Sequence, residues 1–138
     1  MTMPVNREED RVIGIVDKAL APDRAKGRLR ETDISERELQ KQAVAYLRVA
    51  LRPHRGVVVC IPNAPTSKRN PVAGMTDGEP DLFIIVRGRA TGLELKARWG
   101  VVSREQNKRH GEWGDAGADV YVCRSLEDVE DVLRKAAA

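Results

Sequence analysis

Cysteine, histidine and aromatic residues are scarce in this chain. Of 138 residues, two are Cys, two His, two Trp, two Tyr and one Phe. Two isolated thiols, Cys60 and Cys123, have no metal-ligand spacing, which excludes a cysteine-based metal domain. Both sit in apolar, strand-like runs and are expected to be small buried hydrophobes. A disulfide would need oxidising conditions that nothing else in the sequence suggests. No apolar run approaches the ~20 residues needed to cross a bilayer. The opening "MTMPVNREEDR" lacks the apolar stretch of a secretory signal, so a cytoplasmic protein is expected. Internal repeats and low-complexity segments are absent too.

What is present suits one folded domain. The composition is 41% hydrophobic and 33% charged, with a net charge of +3. That balance belongs to a globular chain rather than a disordered one. The mild positive charge permits an anionic partner such as nucleic acid without demanding one. The cations concentrate in and beside the centre of the sequence: Lys68, Arg69, Arg87, Arg89, Arg98, Arg104, Lys108 and Arg109.

Residues 5–20 read as a modest amphipathic helix in a leader, 1–32, that is available for oligomer contact. The domain proper is expected over 33–138. Within "DISERELQKQAVAYLRVALRP", Ser35 is placed to cap a helix and Glu38 to complete a capping box. Leu39, Ala43, Tyr46, Leu47 and Ala50 form its apolar stripe, and Pro53 ends it. "VVVCI", Val57–Ile61, is consistent with a buried strand. Residues 62–80 carry no periodicity, and so long a connection is usually functional or mobile. Asp81–Val86 reads as a strand, 87–92 as a turn, and Leu93–Ala97 as the hairpin partner. Ser103, with Gln106 three residues on, caps the next helix. A strand over Asp119–Cys123 and a final helix capped by Ser125 follow. The order α, β, β, β, α, β, α predicts an α/β fold, a small mixed sheet flanked by helices.

Three charged groups stand inside the segment that reads as sheet. Alternation puts Glu94 and Lys96 on one face of their strand and Leu93, Leu95 and Ala97 on the other. Asp81 opens the preceding strand; its register against Glu94 is open, and the sheet must splay for the two to meet. Converging carboxylates repel unless a cation lies between them. Oxygen donors select hard ions, here Mg²⁺ or Mn²⁺. Such an ion polarises a phosphodiester and lowers the pKa of a bound water, while Lys96 can hold the water or offset developing charge. The plain alternative is a solvated edge hairpin. Against it, Glu94 and Lys96 interrupt apolar residues rather than end them, and a capped helix with Gln106 follows at once.

Together, "GEPDLFIIV", "GLELKARWG" and "VVSREQNKRHGEWGDAGADVYVCRSLEDV" resemble the VRR-NUC branch of the PD-(D/E)xK nuclease superfamily. The likeness covers about residues 33–130. It lies in the acid of "G-x-P-D", the "E-x-K" strand, an "S-x-x-Q" helix start and a "V-x-V-x-R-S" close. The resemblance implies a restriction-endonuclease-like αβββαβ core, with Asp81, Glu94 and Lys96 catalytic and the Leu95 carbonyl a further metal ligand. It also implies a metal-site acid on the first helix, for which "SERELQ" offers Glu36 and Glu38. Glu36 lies on the core-facing stripe and is preferred; as a first-turn acid it also suits the helix dipole. Gln106 is expected to position substrate or water, or else to serve only as capping partner. His110, one turn on, matches a position where relatives often carry histidine, and its default role is structural. Lys68, Arg69, Arg98 and Arg104 are candidate phosphate contacts. Trp99 and Trp113 suit packing better than base stacking. Ala97-Arg98-Trp99 departs from the threonine- or serine-rich turn of relatives.

The implied function is a Mg²⁺- or Mn²⁺-dependent endonuclease acting on DNA. Similarity to stand-alone phage and bacterial members implies branched DNA, cut as by a Holliday-junction resolvase, and a homodimer. The alternatives are a flap, end or duplex nuclease of the same fold, and a non-catalytic DNA-binding module.

Overall fold

Three serines open three helices. The structure is a computed structural model that describes residues 33–62 and 73–138. Helix α1 spans Glu36–Ala50, α2 Arg104–Asp115 and α3 Leu126–Ala137. Ser35, Ser103 and Ser125 each accept, at 3.1 Å, the amide of the residue three further on. Each satisfies one of the amides that a helix start leaves without an internal partner. At Ser103 the box is complete, because Gln106 Oε1 also accepts the Ser103 amide at 2.8 Å. At Ser35, no bond among the described residues returns from the Glu38 carboxylate.

The strands are β1 (Val57–Cys60), β2 (Leu82–Val86), β3 (Arg89–Leu95) and β4 (Val120–Cys123). They form one sheet in the order β1-β2-β3-β4. The first two pairings are antiparallel; β3 and β4 run parallel, joined through α2. The two sheet faces are built differently. Leu82, Ile84 and Val86 share a face with Leu93 and Leu95 of β3 and with Tyr121 and Cys123 of β4. Leu39, Ala43 and Leu47 of α1, and Val129, Val132 and Leu133 of α3, close over that face as one apolar core. Helix α2 lies on the opposite face, where the Trp113 ring meets Phe83 edge-on at 5.7 Å. Among the described residues, no helix is long and apolar enough to cross a membrane.

The structure corrects several expectations. Strand β1 is an edge strand and is largely exposed: Val57 is 52% exposed and Val59 37%. An apolar run of five does not say whether both faces are covered. For the same reason Cys60 is exposed, and only Cys123 is buried as expected. The predicted six-residue turn shrinks to Arg87 and Gly88, both at positive φ (52° and 75°), the geometry of a tight hairpin. Strand β3 therefore starts at Arg89, earlier than expected. It ends at Leu95, so Lys96 lies just past it, although the Lys96 amide still donates to the Cys123 carbonyl at 3.0 Å. The expected leader helix and residues 63–72 of the long connection lie outside the described residues.

Candidate active site

The site forms where β2 begins and β3 ends. Leu82 pairs with Leu93, so the same register sets Asp81 opposite Glu94 as the ladder stops. Directly opposed residues share a face, so both carboxylates point toward α2. Pro80 has no N–H with which to extend the ladder. The Leu95 amide donates instead to Asp81 Oδ2 at 2.7 Å, while the Asp81 carbonyl accepts the Ile61 amide at 2.9 Å. Asp81 thus ties three segments together and is only 7% exposed. The splaying expected at this point is a side chain standing in for a backbone acceptor.

Glu94 is 1% exposed. Gln106 Nε2 donates to its Oε1 at 2.6 Å, and Lys96 Nζ stands 3.5 Å from the same oxygen. His110 Nε2 lies 3.4 Å from the other oxygen, Oε2. Burial pushes the Glu94 carboxyl above the usual range. Contact with His110 and the Lys96 charge pull the other way, while the Asp81 charge adds to the rise. Burial wins. Lys96 is itself largely covered and also reaches Glu36 Oε1 at 3.9 Å. The Glu36 side chain is half exposed, at the mouth of the site, and leans toward the ammonium.

Two clamps hold this arrangement, and neither was anticipated from the sequence. Arg109 makes a fork to Glu79, and Trp113 Nε1 donates to Glu79 Oε1 at 3.1 Å, fixing the loop that delivers Asp81. Gly78, at φ 85°, packs so closely on α2 that a Cβ would sit 2.5 Å from the Glu105 carbonyl oxygen. On the other side, Arg124 Nη1 donates to the carbonyls of Ala97 (3.1 Å), Arg98 (3.2 Å) and Gly100 (2.8 Å). It binds the turn after Lys96 to the end of β4. The signals were in view, in "GEPD" and in the arginine of "CRS", but Arg109 counts there only among the central cations and Arg124 only as part of the closing motif.

Asp81, Glu94, Lys96 and Gln106 are therefore brought together, with Glu36 at the rim. Glu38 serves the helix start through its amide. Arg98 stacks over Trp99, 4.5 Å from its ring centre, and reaches Asp33 Oδ1 at 3.5 Å. Arg104 opens α2 and is exposed. Lys68 and Arg69 lie outside the described residues. Trp113 packs and anchors, as its neighbours require.

The donor set suits a hard divalent ion in part. Asp81 and Glu94 offer oxygens from adjacent strands, and Glu94 Oε2 is buried without a hydrogen-bond partner. Yet among the described residues no three Asp, Glu, His or Cys side chains gather as a metal-holding group. As placed here, Glu36 faces Lys96 rather than completing such a trio.

No family model matches the chain, and no curated protein matches it. A solved structure described as a VRR_NUC domain superposes with a TM-score of 0.51 at 20% identity. The match covers 73% of this chain and 97% of that one. The mixed four-stranded sheet with its three helices has the fold of a VRR-NUC domain.

Proposed function

We propose that the chain is a nuclease: a Mg²⁺- or Mn²⁺-dependent endonuclease that hydrolyses DNA phosphodiesters. The observation that carries this reading is the convergence of two buried carboxylates from neighbouring strands, Asp81 and Glu94, with an ammonium 3.5 Å from one of them. A purely structural sheet end has no reason to bury opposed acids, since each desolvated charge costs free energy. Asp81, Glu94 and the Leu95 carbonyl would hold the ion, with Glu36 joining from the rim. When bound, it would polarise the phosphate and acidify a coordinated water.

The chain's own groups do the rest. Asp81 is oriented by the Leu95 amide, and one oxygen of Glu94 by Gln106. Lys96 holds a positive charge where an incoming water oxygen and the phosphate oxygens meet. It orients that water and offsets charge on the pentacovalent phosphorus. The attacking water loses a proton to bulk solvent as its oxygen bonds to phosphorus, the P–O bond opposite the attack breaks, and the departing alkoxide takes a proton from solvent. Exposed Arg104 and the Trp99-stacked Arg98 supply phosphate contacts around the cut, with Lys68 and Arg69 as further candidates from the sequence.

Branched DNA is the proposed substrate and a homodimer the proposed assembly, since paired cuts across a junction need two sites related by a twofold axis. Asp81→Asn should abolish Mg²⁺-dependent cleavage of plasmid and four-way-junction DNA while leaving the fold intact by circular dichroism. Wild-type protein that binds DNA but cuts none with Mg²⁺ or Mn²⁺ sinks the nuclease reading. Cuts confined to a 5′ flap, without symmetric nicks on the junction, remove the branched-DNA part alone.

A further inference from the structure

Helix α2 buries one side chain, and it is a histidine. His110 is fully buried, and neither ring nitrogen has a hydrogen-bond partner among the described residues. A helix that needed only to seal this face would do better with leucine, because a buried polar ring without partners costs free energy. The imidazole is also aimed. It lies four residues beyond Gln106, one turn along the same helix face. Its Nε2 stands 3.4 Å from Glu94 Oε2, itself buried and without a hydrogen-bond partner. Two buried polar atoms without hydrogen-bond partners, Nε2 and Oε2, thus face each other in an otherwise well-paired site. At 3.4 Å the contact is long for a hydrogen bond.

We propose that His110 is a positioning residue for Glu94: it holds carboxylate oxygen Oε2 while Gln106 and Lys96 hold Oε1, fixing the plane in which the acid meets a divalent cation. The proposal rests on the nuclease reading and deepens it. The carboxylate is gripped from both oxygens by two residues of a single helix. The orientation of Glu94 is thereby set by the seating of α2 and not by β3 alone. Groups behind a metal-binding side chain have this effect on affinity, because a ligand free to rotate must be ordered at each binding event.

The test uses the full chain with two substitutions, His110→Leu and His110→Gln. Leucine fills the space and removes the polar contact, whereas glutamine keeps a donor on a similar reach. Mn²⁺ binding is measured by calorimetry, and Mg²⁺-dependent cleavage by its half-saturating Mg²⁺ concentration and its limiting rate. His110→Leu should weaken Mn²⁺ binding about 10- to 100-fold and raise the half-saturating Mg²⁺ concentration. Its thermal midpoint should equal or exceed that of wild type. His110→Gln should recover most of the affinity. Unchanged Mn²⁺ affinity in His110→Leu, beside a wild type that binds and cuts, overturns the positioning role and leaves the nuclease reading standing. Should His110→Leu fail to fold, a His110→Gln protein that folds but binds Mn²⁺ no better than Glu94→Gln overturns it as well. A wild type that neither takes up Mn²⁺ nor cleaves DNA overturns both.

Discussion

The two faces of the sheet solve opposite problems. One face is closed by α1 and α3, which bury Leu39, Ala43, Leu47, Val129, Val132 and Leu133 against β2, β3 and β4. The other is covered by α2, whose one buried side chain is His110 and whose contacts to Glu94 and Glu79 are polar. On the first face, burial is apolar and stabilising, at roughly 25 cal/mol per Å². On the second, burial of Glu94 and His110 costs stability and assembles the candidate site. A sheet of four short strands can afford charged groups on one side because the other side supplies the core.

Mutations that separate the faces should separate stability from chemistry. The largest loss of stability is expected from Leu93→Ala, which empties a fully buried position on the apolar face. It should cost roughly 2–5 kcal/mol, read as a lower urea midpoint, with cleavage per folded molecule unchanged. Lys96→Ala should do the reverse, lowering the cleavage rate on the order of 10²–10³-fold with little change in the urea midpoint. If Lys96→Ala unfolds the protein instead, the division between the faces is wrong.

Glu94→Gln sharpens the comparison through pH. Burial raises the Glu94 carboxyl, so the folded state holds this proton more tightly than the unfolded chain does. Its contribution is fully present below the ordinary carboxylate value and is lost as pH rises through the raised one. In chelator, wild-type stability should therefore fall with rising pH relative to Glu94→Gln, which carries no such charge. Parallel urea midpoints for the two proteins across that range would contradict the buried-charge assignment. The smallest effect is expected from Ser103→Ala, about 1 kcal/mol. A modest drop in cleavage should accompany it, because the cap and the site share Gln106.

The division between faces also marks what the sequence made legible. The apolar stripe of α1, the three serine caps and the alternation that unites Glu94 with Lys96 follow from local periodicity and hydrogen-bond chemistry. Those rules act over three or four residues, and the structure meets them. Position across the sheet does not. "VVVCI" looked buried because apolar strands usually are, yet β1 lies at an edge where α2 gives no cover. The opposition of Asp81 and Glu94 depended on a two-residue turn that the arginines at 87 and 89 disguised; a non-glycine residue at positive φ is seldom anticipated. Arg109 and Arg124 were invisible as clamps because their acceptors, Glu79 and the carbonyls of Ala97 to Gly100, are 30 and 24 to 27 residues away along the chain. Long-range pairing of that kind leaves no local signature.

The side-chain amide of Gln106 is used at both ends: its oxygen meets the Ser103 backbone and its nitrogen meets Glu94. The span from Lys96 to Ser103 therefore has its length fixed at both termini, by the strand that carries the acid and by the helix start that greets it. Adding or deleting one residue there would shift the helix start relative to Glu94, leaving the amide to serve either the cap or the carboxylate but not both. That connector should accept changes of residue type far more readily than changes of length.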